Sequence, residues 1–191
     1  MDTNFDILSS VVKNRRTIKP FMMNGQKIAD DQISQLLELA DWAPTHGLTE
    51  PWRFVVYANP ADFCSVHAEL YKQNTPAEEF TQGSYDNLLH QGDKASHAII
   101  AVMQRGKLAK IPAVEEMAAT ACAVQNMLLG ATALGLASYW GTGGMILKPA
   151  MRTFLNLNDE DEVMGVLYFG HADEQPKGAR RIPLTEKVKW A

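Results

Sequence analysis

A long run without charge in the middle of the chain constrains this fold more than any other sequence feature. Pro112 suits the start of a helix, Glu115 and Glu116 suit its first turn, and Gly135 suits its end. About 22 residues lie between these limits, or ~33 Å of helix. Apart from the two glutamates, the helix carries no charge on any face. It must therefore be covered on all sides, by its own domain or by a partner, and we take it as an indication of a dimer interface.

A membrane span is the alternative interpretation of this region. The uncharged stretch from Met117 to Trp140 is long enough, but it is rich in alanine and threonine and contains Gln125 and Asn126. A bilayer would gain little from such a segment, so a buried helix is the better interpretation.

Composition limits the kinds of ligand that the chain can bind. Its 191 residues, 46% hydrophobic and 21% charged, suit one globular domain or two small ones. The sequence shows no linker, and we expect a single domain over residues 1–191. A net charge of −4 excludes a general field for nucleic acid or for an anionic membrane. Any anion site must therefore be local.

Cysteine and histidine usage bears on the compartment and on metals. Cys64 and Cys122 form neither a disulfide framework nor a metal pair, which favours a reducing compartment. No histidine has metal-site spacing, so we interpret His67, His90 and His97 as hydrogen-bonding residues and expect no structural metal. The acidic N-terminus does not look like a signal peptide. We therefore expect a cytoplasmic protein.

Periodicity predicts helices and strands that alternate along the chain. A first helix, capped by Asp2 or Thr3, extends to about residue 14, and a second, capped by Asp30 or Asp31, ends near Trp42. Further helices are expected at 61–71, 83–91 and 149–155, and strands at 54–57, 98–103 and 163–169. This arrangement predicts a layered α+β fold with a mixed sheet.

A cluster of hydrogen-bond donors follows the first helix. Arg15, Arg16 and Lys19 are cations, and Thr17 adds a hydroxyl; all of these groups can bind phosphate oxygens. If the segment is extended, Arg15, Thr17 and Lys19 share one side. The pattern is suited to an anion site, and a solvated basic turn at a helix end remains open as the alternative.

A glycine-rich segment, Gly141-Thr142-Gly143-Gly144, follows the apolar stretch that ends at Trp140. It can be an ordinary turn, or it can let backbone N–H groups approach a planar ligand closely. Neither G-x-G-x-x-G nor G-x-x-x-x-G-K-[ST] follows a predicted strand, so the familiar dinucleotide and phosphate loops are absent.

Several segments together resemble the nitroreductase-like FMN flavoproteins, and in particular the short YdjA-like branch of that family. Arg15-Arg16-Thr17-Ile18-Lys19 is similar to the family's R-x-[ST]-x-[KR] motif. The other similar segments are Ala43-Pro44-Thr45-His46 (A-P-x-H), Glu50-Pro51-Trp52-Arg53-Phe54 (Q-P-W-x-F), Gly135 to Trp140 before the flavin loop, and Gly165 to Gly170 as the last core strand. Their order and spacing cover nearly the whole chain.

The resemblance implies an obligate homodimer with FMN at the subunit interface. The implied fold has three layers, with a mixed and mostly antiparallel sheet between helices and the long apolar helix at the dimer interface. The residues implied at the phosphate and ribityl chain are Arg15, Arg16, Thr17, Lys19 and either Arg180 or Arg181.

At the ring, Trp140, Gly141 and Thr142 would form a loop beside the isoalloxazine, and His46 would approach the flavin bound mainly by the other subunit. From the residues alone, a hydrogen-bonded residue at a helix end is the favoured interpretation of His46. Three positions depart from the family pattern. Glu50 replaces a usual Gln, while Gly141 and Trp42 replace arginines of the similar branch, so we carry no flavin role to Trp42.

The implied activity is a two-step transfer of hydride from NAD(P)H through FMN to a nitroaromatic, a quinone or a similar small acceptor. The flavin supplies this chemistry, so we assign no side chain as catalytic. Two alternatives remain open. One is a different flavin reaction on the same fold, such as dehalogenation or flavin destruction, and the other is a cofactor-free dimer that acts as an interaction module.

Overall fold

The computed structural model describes residues 3–108 and 110–191. Within these residues, helices and strands alternate much as the periodicity predicts. The helices are α1 (Asn4–Asn14), α2 (Asp30–Asp41), α3 (Pro60–Asn74), α4 (Gln82–Leu89), α5 (Ala113–Ala133) and α6 (Pro149–Phe154). The strands are β1 (Trp52–Tyr57), β2 (His97–Met103), β3 (Ala137–Gly141) and β4 (Glu162–Gly170).

The four strands form one sheet in the order β1-β2-β4-β3. The predicted mixed sheet is wrong for the described residues. All three pairs of neighbouring strands are antiparallel. The reason lies in the connections. The single helix α5 joins β2 to β3, which run in the same direction, but β4 lies between them. No parallel pair can therefore form from these two strands.

The central strand β2 shows how the layers are arranged. All seven of its residues are buried, which means that both faces of the sheet are covered. Ile99 and Ala101 belong to a core shared with α2 and α5, whereas Ala98 and Ile100 belong to a second core shared with α3 and α6. Alternate side chains of one strand thus serve two cores. The predicted three-layer α+β fold is confirmed.

The long apolar helix α5 is present with nearly the predicted limits, and Pro112 is its N-cap residue. Its own domain covers only one side. On the other side Val114, Ala118, Cys122 and Ala133 are exposed. The remaining apolar surface is therefore free for a partner. Among the described residues, none of the helices combines the length and apolarity that crossing a bilayer would require.

Helix α1 lies on the surface and has no buried residue. Thr3 is its N-cap: the Thr3 hydroxyl accepts a hydrogen bond from the Asp6 N–H, and the Asp6 carboxylate accepts one from the Thr3 N–H. This reciprocal arrangement holds the first turn without help from the core. Phe5, Ile7 and Leu8 are exposed. The helix therefore carries apolar side chains that its own chain does not bury.

The predicted cap of α2 is wrong. Asp30 is already the first helical residue, and Ala29 precedes it without a side-chain cap. Asp30 accepts a hydrogen bond from the buried His97 at 3.1 Å, and Asp31 accepts one from the Gln32 N–H at 2.9 Å. Both carboxylates still favour this helix end, because they lie near the positive end of the dipole.

Candidate functional site

The cationic segment after α1 is not helical, and its residues alternate between exposed and buried from Thr17 to Pro20, whereas Arg15 and Arg16 are both half-buried. Ile18 is buried, and its N–H donates a hydrogen bond to the Ser138 carbonyl oxygen on β3 at 2.9 Å. Thr17 and Lys19, on either side of Ile18, are exposed, and Arg15 is half-buried. This alternation is the one that would place Arg15, Thr17 and Lys19 on a common outer side.

The charges of Arg15 and Lys19 have no acidic partner in the described part of the chain. Neither side chain forms a salt bridge there, whereas Arg105 pairs with Glu116 and Arg152 lies 3.9 Å from Glu162. Most lysine and arginine side chains of the described residues are unpaired in the same way, so what sets Arg15 and Lys19 apart is that both lie on one short segment beside Thr17. They are available to an external anion.

Arg16 has different surroundings from those that the motif implies. Its Nη1 donates hydrogen bonds to the carbonyl oxygens of Lys13 at 2.7 Å and Arg15 at 2.9 Å, and its Nε donates to that of Pro176 at 3.1 Å. Gly178 lies against the same guanidinium, since a Cβ there would be 2.4 Å from Cζ and Nη2. Arg16 therefore fastens the C-terminal tail to the end of α1.

The contact between Arg16 and Pro176 also bears on the C-terminal cations. Arg180 and Arg181 are exposed, and Arg180 donates to the Ala179 carbonyl oxygen at 3.1 Å. Arg181 follows Pro176 by five residues, at most about 17 Å of extended chain. The tail thus starts beside the cationic segment.

A cavity of about 340 Å³ opens beside Lys19. Sequence reasoning missed most of its lining, because no local pattern marks it. The residues contributed by α4, by the turn after it and by β3 are Asn87, His90, Gln91 and Tyr139. His90 Nδ1 lies 3.1 Å from the Asp93 carboxylate. Amide and imidazole groups next to a cation can hydrogen-bond the polar edge of a heterocycle.

The glycine-rich segment leaves the end of β3. Gly141 is the last residue of the strand and pairs with Val166, whereas Thr142 and the two following glycines are exposed. The indole N–H of Trp140 donates to the Met164 carbonyl oxygen at 2.9 Å. The only polar group of the Trp140 side chain is thus used within the fold, and this loop offers mainly its backbone to a ligand.

His46 lies away from the cationic segment and from the cavity beside Lys19. It begins the short 3₁₀ turn His46–Leu48, and its Nδ1 is 2.6 Å from the Glu115 carboxylate at the start of α5. The adjoining cavity, about 460 Å³, includes Gly47 and Leu48, while the cavity beside Lys19 does not include His46. Within one chain, His46 and the cationic segment therefore do not share a cavity.

Trp42 lies in an apolar groove between α1, α2 and α5. The groove, about 530 Å³, includes Ile7, Leu8, Val11, Leu39, Trp42 and Leu129. The Trp42 residue is 81% exposed. This position thus contributes to a hydrophobic surface and not to the cationic segment. In the described residues no three His, Cys, Asp or Glu side chains are grouped so that they could hold a metal ion.

The fold and this site together describe a three-layer α+β protein with a short cationic segment beside a cavity of about 340 Å³. The family follows from comparison. The model of the nitroreductase family matches residues 12–171, which is most of the chain. The chain therefore belongs to the nitroreductase family, a family of oxidoreductases. The predicted family and enzyme class are confirmed.

Two curated relatives are named as NAD(P)H nitroreductases. "Putative NAD(P)H nitroreductase YfhC" of Bacillus subtilis is 24% identical over 184 residues, covering 95% of this chain and 92% of that protein. "Putative NAD(P)H nitroreductase YdjA" of Escherichia coli K12 is 24% identical over 153 residues, covering 80% of this chain and 82% of that protein.

Solved structures share the fold. A nitroreductase-like family protein from Bacillus cereus is 28% identical, with a TM-score of 0.82, covering 100% of this chain and 98% of that one. A "putative nitroreductase in complex with fmn" from Desulfovibrio desulfuricans is 24% identical, with a TM-score of 0.73 and the same coverage. The NADPH:FMN oxidoreductase from Vibrio harveyi, complexed with NAD⁺, is 16% identical, with a TM-score of 0.74, covering 96% of this chain and 76% of that one.

Proposed function

We propose that this chain is an FMN-dependent oxidoreductase that takes hydride from NAD(P)H and passes it to a nitroaromatic, a quinone or a similar small acceptor. The observation that carries the proposal is the outward segment with Arg15, Thr17 and Lys19, whose two cations lack a carboxylate partner among the described residues. The names of the relatives and the FMN in the Desulfovibrio structure support it. We propose that residues 1–191 form one FMN-binding domain.

The residues present fit the phosphate end of FMN. A phosphate carries about two negative charges, which Arg15 and Lys19 can balance, and the Thr17 hydroxyl can donate to a phosphate or ribityl oxygen. Arg180 or Arg181 can approach the same group from the tail. Arg16 would act at this end through the tail that it holds. When bound, FMN supplies two-electron hydride transfer, first from NAD(P)H and then to the acceptor, in a two-step cycle.

The cavity beside Lys19 fits the polar edge of the flavin ring. Asn87 offers a donor and an acceptor, and Gln91 offers its amide N–H groups, since its Oε1 accepts from the Tyr168 hydroxyl at 3.3 Å. Lys19 would stabilise negative charge that develops on a bound heterocycle. The backbone of Gly141 and Thr142 would approach the ring from the end of β3. We assign no side chain a proton-transfer role, because protons can come from water.

We propose that two copies of the chain form the functional unit. One copy leaves hydrophobic side chains exposed on three surfaces. These are the apolar groove, the outer side of α5 and the apolar positions of α1. The tail beyond Pro176 adds exposed Leu184 and Trp190. A second copy would bury these surfaces, since contiguous exposed apolar side chains commonly mark a site of association. His46, which lies away from the cationic segment of its own chain, would then reach the cofactor held by the other copy.

The decisive experiment is the visible spectrum of the freshly purified protein, followed by identification of the released chromophore and by NAD(P)H oxidation with menadione and a nitroaromatic. We expect bound FMN and turnover with at least one acceptor. A yellow protein without turnover would point to a different flavin reaction. A protein that shows no flavin absorbance even after FMN is added would favour the cofactor-free interaction module.

We also propose a cytoplasmic location, which fractionation of the source cells would test.

A further inference from the structure

A buried histidine lies directly beneath the glycine-rich loop. His67 on α3 is 1% exposed, and its Nε2 accepts a hydrogen bond from the Met145 N–H at 2.8 Å. Gly144 passes over the ring with a φ of +63°, and a Cβ at this position would be 2.5 Å from Nε2. Only glycine allows the backbone to approach the imidazole so closely.

The hydrogen bond to Nε2 determines which ring nitrogen of His67 carries the proton. A neutral imidazole carries one N–H, so if Nε2 accepts, the proton is on Nδ1. In the described part of the chain, Nδ1 is buried and has no hydrogen-bond partner. Leaving a buried donor unpaired is unfavourable, and such a group in a native fold calls for an explanation. Burial lowers the pKa of His67 to about 4, which keeps Nε2 free to accept at neutral pH.

The hydrogen bond anchors one of the two ends of the loop. The first end is held by β3, where Gly141 pairs with Val166. The exposed residues 142–144 follow, and the chain then returns into the core at Met145 and Ile146, both buried. The bond from Met145 to His67 lies at this return point. The loop is thus a short exposed span fixed at both ends.

We propose that His67 is a positioning residue for the glycine-rich loop and that its Nε2, by holding the Met145 N–H, sets where the backbone of residues 142–144 stands. The proposal rests on the proposed function in one respect, namely that this backbone lies beside the flavin ring. His67 itself would not touch the cofactor. It would act from the buried side of the loop, 78 residues away in sequence.

The first test needs no substitution and no cofactor. Nitrogen NMR of the whole purified chain at pH 7 reports which imidazole nitrogen of His67 carries the proton. We expect the Nδ1–H form with a hydrogen-bonded, unprotonated Nε2. A proton on Nε2, or a doubly protonated ring, would overturn the proposal, because Nε2 could not then accept from Met145.

The second test compares His67→Gln with His67→Leu. The glutamine carbonyl oxygen can accept near the position of Nε2, whereas leucine fills similar space without an acceptor. We expect amide hydrogen exchange at Met145 to rise about tenfold in His67→Leu and to stay within about threefold of the original in His67→Gln. The amide of Leu167 on β4 is the internal control. Unchanged exchange at Met145 in a folded His67→Leu protein refutes the anchor; if that variant does not fold, the tautomer and His67→Gln decide.

The third test concerns the flavin. We expect the visible spectrum of bound FMN to shift in His67→Leu and to keep its original shape in His67→Gln. If Met145 loosens while the spectrum of bound FMN stays the same, the loop does not position the ring, and that part of the proposal is overturned. If the unmodified protein binds no FMN at all, the proposed function fails, while the tautomer and exchange results still decide whether His67 anchors the loop.

Discussion

The guanidinium of Arg16 donates a hydrogen bond to the carbonyl oxygen of Pro176, 160 residues later in the chain, at 3.1 Å. Its neighbour Arg15 has no salt-bridge partner among the described residues. Two adjacent arginines in one motif therefore have different surroundings, because successive residues of an extended segment point to opposite sides. Arg16 holds the tail, and Arg15 remains available to an anion.

The first prediction concerns the outward cations. Replacing Arg15 and Lys19 together by alanine should lower the affinity for FMN more than tenfold, since each lost charge-assisted contact costs about 1.5–3 kcal/mol. Flavin fluorescence quenching during a titration measures the change. The matched control, Lys13→Ala with Lys72→Ala, removes the same charge from two exposed positions and should change affinity much less. Equal losses in both proteins would mean that the phosphate lies elsewhere.

The second prediction concerns Arg16. Arg16→Met removes its hydrogen bonds to three carbonyl oxygens and should lower the free energy of unfolding by about 1–2 kcal/mol. Cleavage by a broad-specificity protease within residues 172–181 should accelerate, because the tail loses its attachment at Pro176. Arg181→Met, an exposed position in the same tail, is the control and should leave the cleavage rate unchanged. An unchanged cleavage rate in the Arg16 variant would contradict the tethering role.

The third prediction concerns the dimer. Ile7 on α1 is 55% exposed and lines the apolar groove, so Ile7→Asp should place an unpaired charge in the subunit interface and shift the protein toward monomers. Light scattering during size-exclusion chromatography gives the mass. Phe154→Asp provides the control, because Phe154 is 42% exposed on α6, which covers the opposite face of the sheet. A stable dimer in the Ile7 variant would exclude this groove from the interface.

The fourth prediction is a pH dependence of stability. Burial lowers the pKa of His67 from 6.5 to about 4, so between these values the unfolded chain binds more protons than the folded one. The contribution of His67 to stability is therefore complete above pH 6.5 and decreases as the pH falls toward 4, by up to about 3 kcal/mol. Denaturant unfolding at a series of pH values should show this slope. The slope should become smaller in His67→Gln, and an identical slope would assign the effect to other groups.

The fifth prediction concerns the buried ion pair at the start of α5. Glu116, 2% exposed, pairs with Arg105 and also accepts a hydrogen bond from the Gly106 N–H at 3.0 Å. Glu116→Gln should cost about 2–4 kcal/mol of unfolding free energy, because it leaves the Arg105 guanidinium, 14% exposed, with only the carboxylate of the exposed Glu160 at 3.8 Å. Glu162→Gln is the control, since Glu162 is 49% exposed and 3.9 Å from Arg152, and it should cost less than about 1 kcal/mol.

Local patterns in the sequence were enough to predict the helices and the layers. The limits of α5 follow from Pro112, the acidic first turn and Gly135. The burial of Ile18 between the exposed Thr17 and Lys19 follows from extended geometry. These features depend on residues a few positions apart. The cap of α2 was predicted wrongly because Asp30 and Asp31 suit both the cap and the first turn, and local pattern does not separate the two.

The sequence pointed to the candidate site only where one continuous segment carries it. Arg15, Thr17 and Lys19 are neighbours in sequence, so their common side could be inferred from spacing. Asn87 and Gln91 have no such signal, and they adjoin Lys19 only because α4 and the turn after it pack near β3. The hydrogen bond between His67 and Met145 is likewise invisible in sequence, since the two residues are 78 positions apart.

By itself, the sequence determined the family, the layered α+β class and the outward cations, because periodicity, short motifs and charge act over a few residues. Only the tertiary structure decided that the four described strands pair solely antiparallel, that Arg16 binds the tail at Pro176, and that His67 lies beneath Gly144. These relationships join residues far apart in the chain. They depend on the path of the backbone through the packed layers, which no local pattern records.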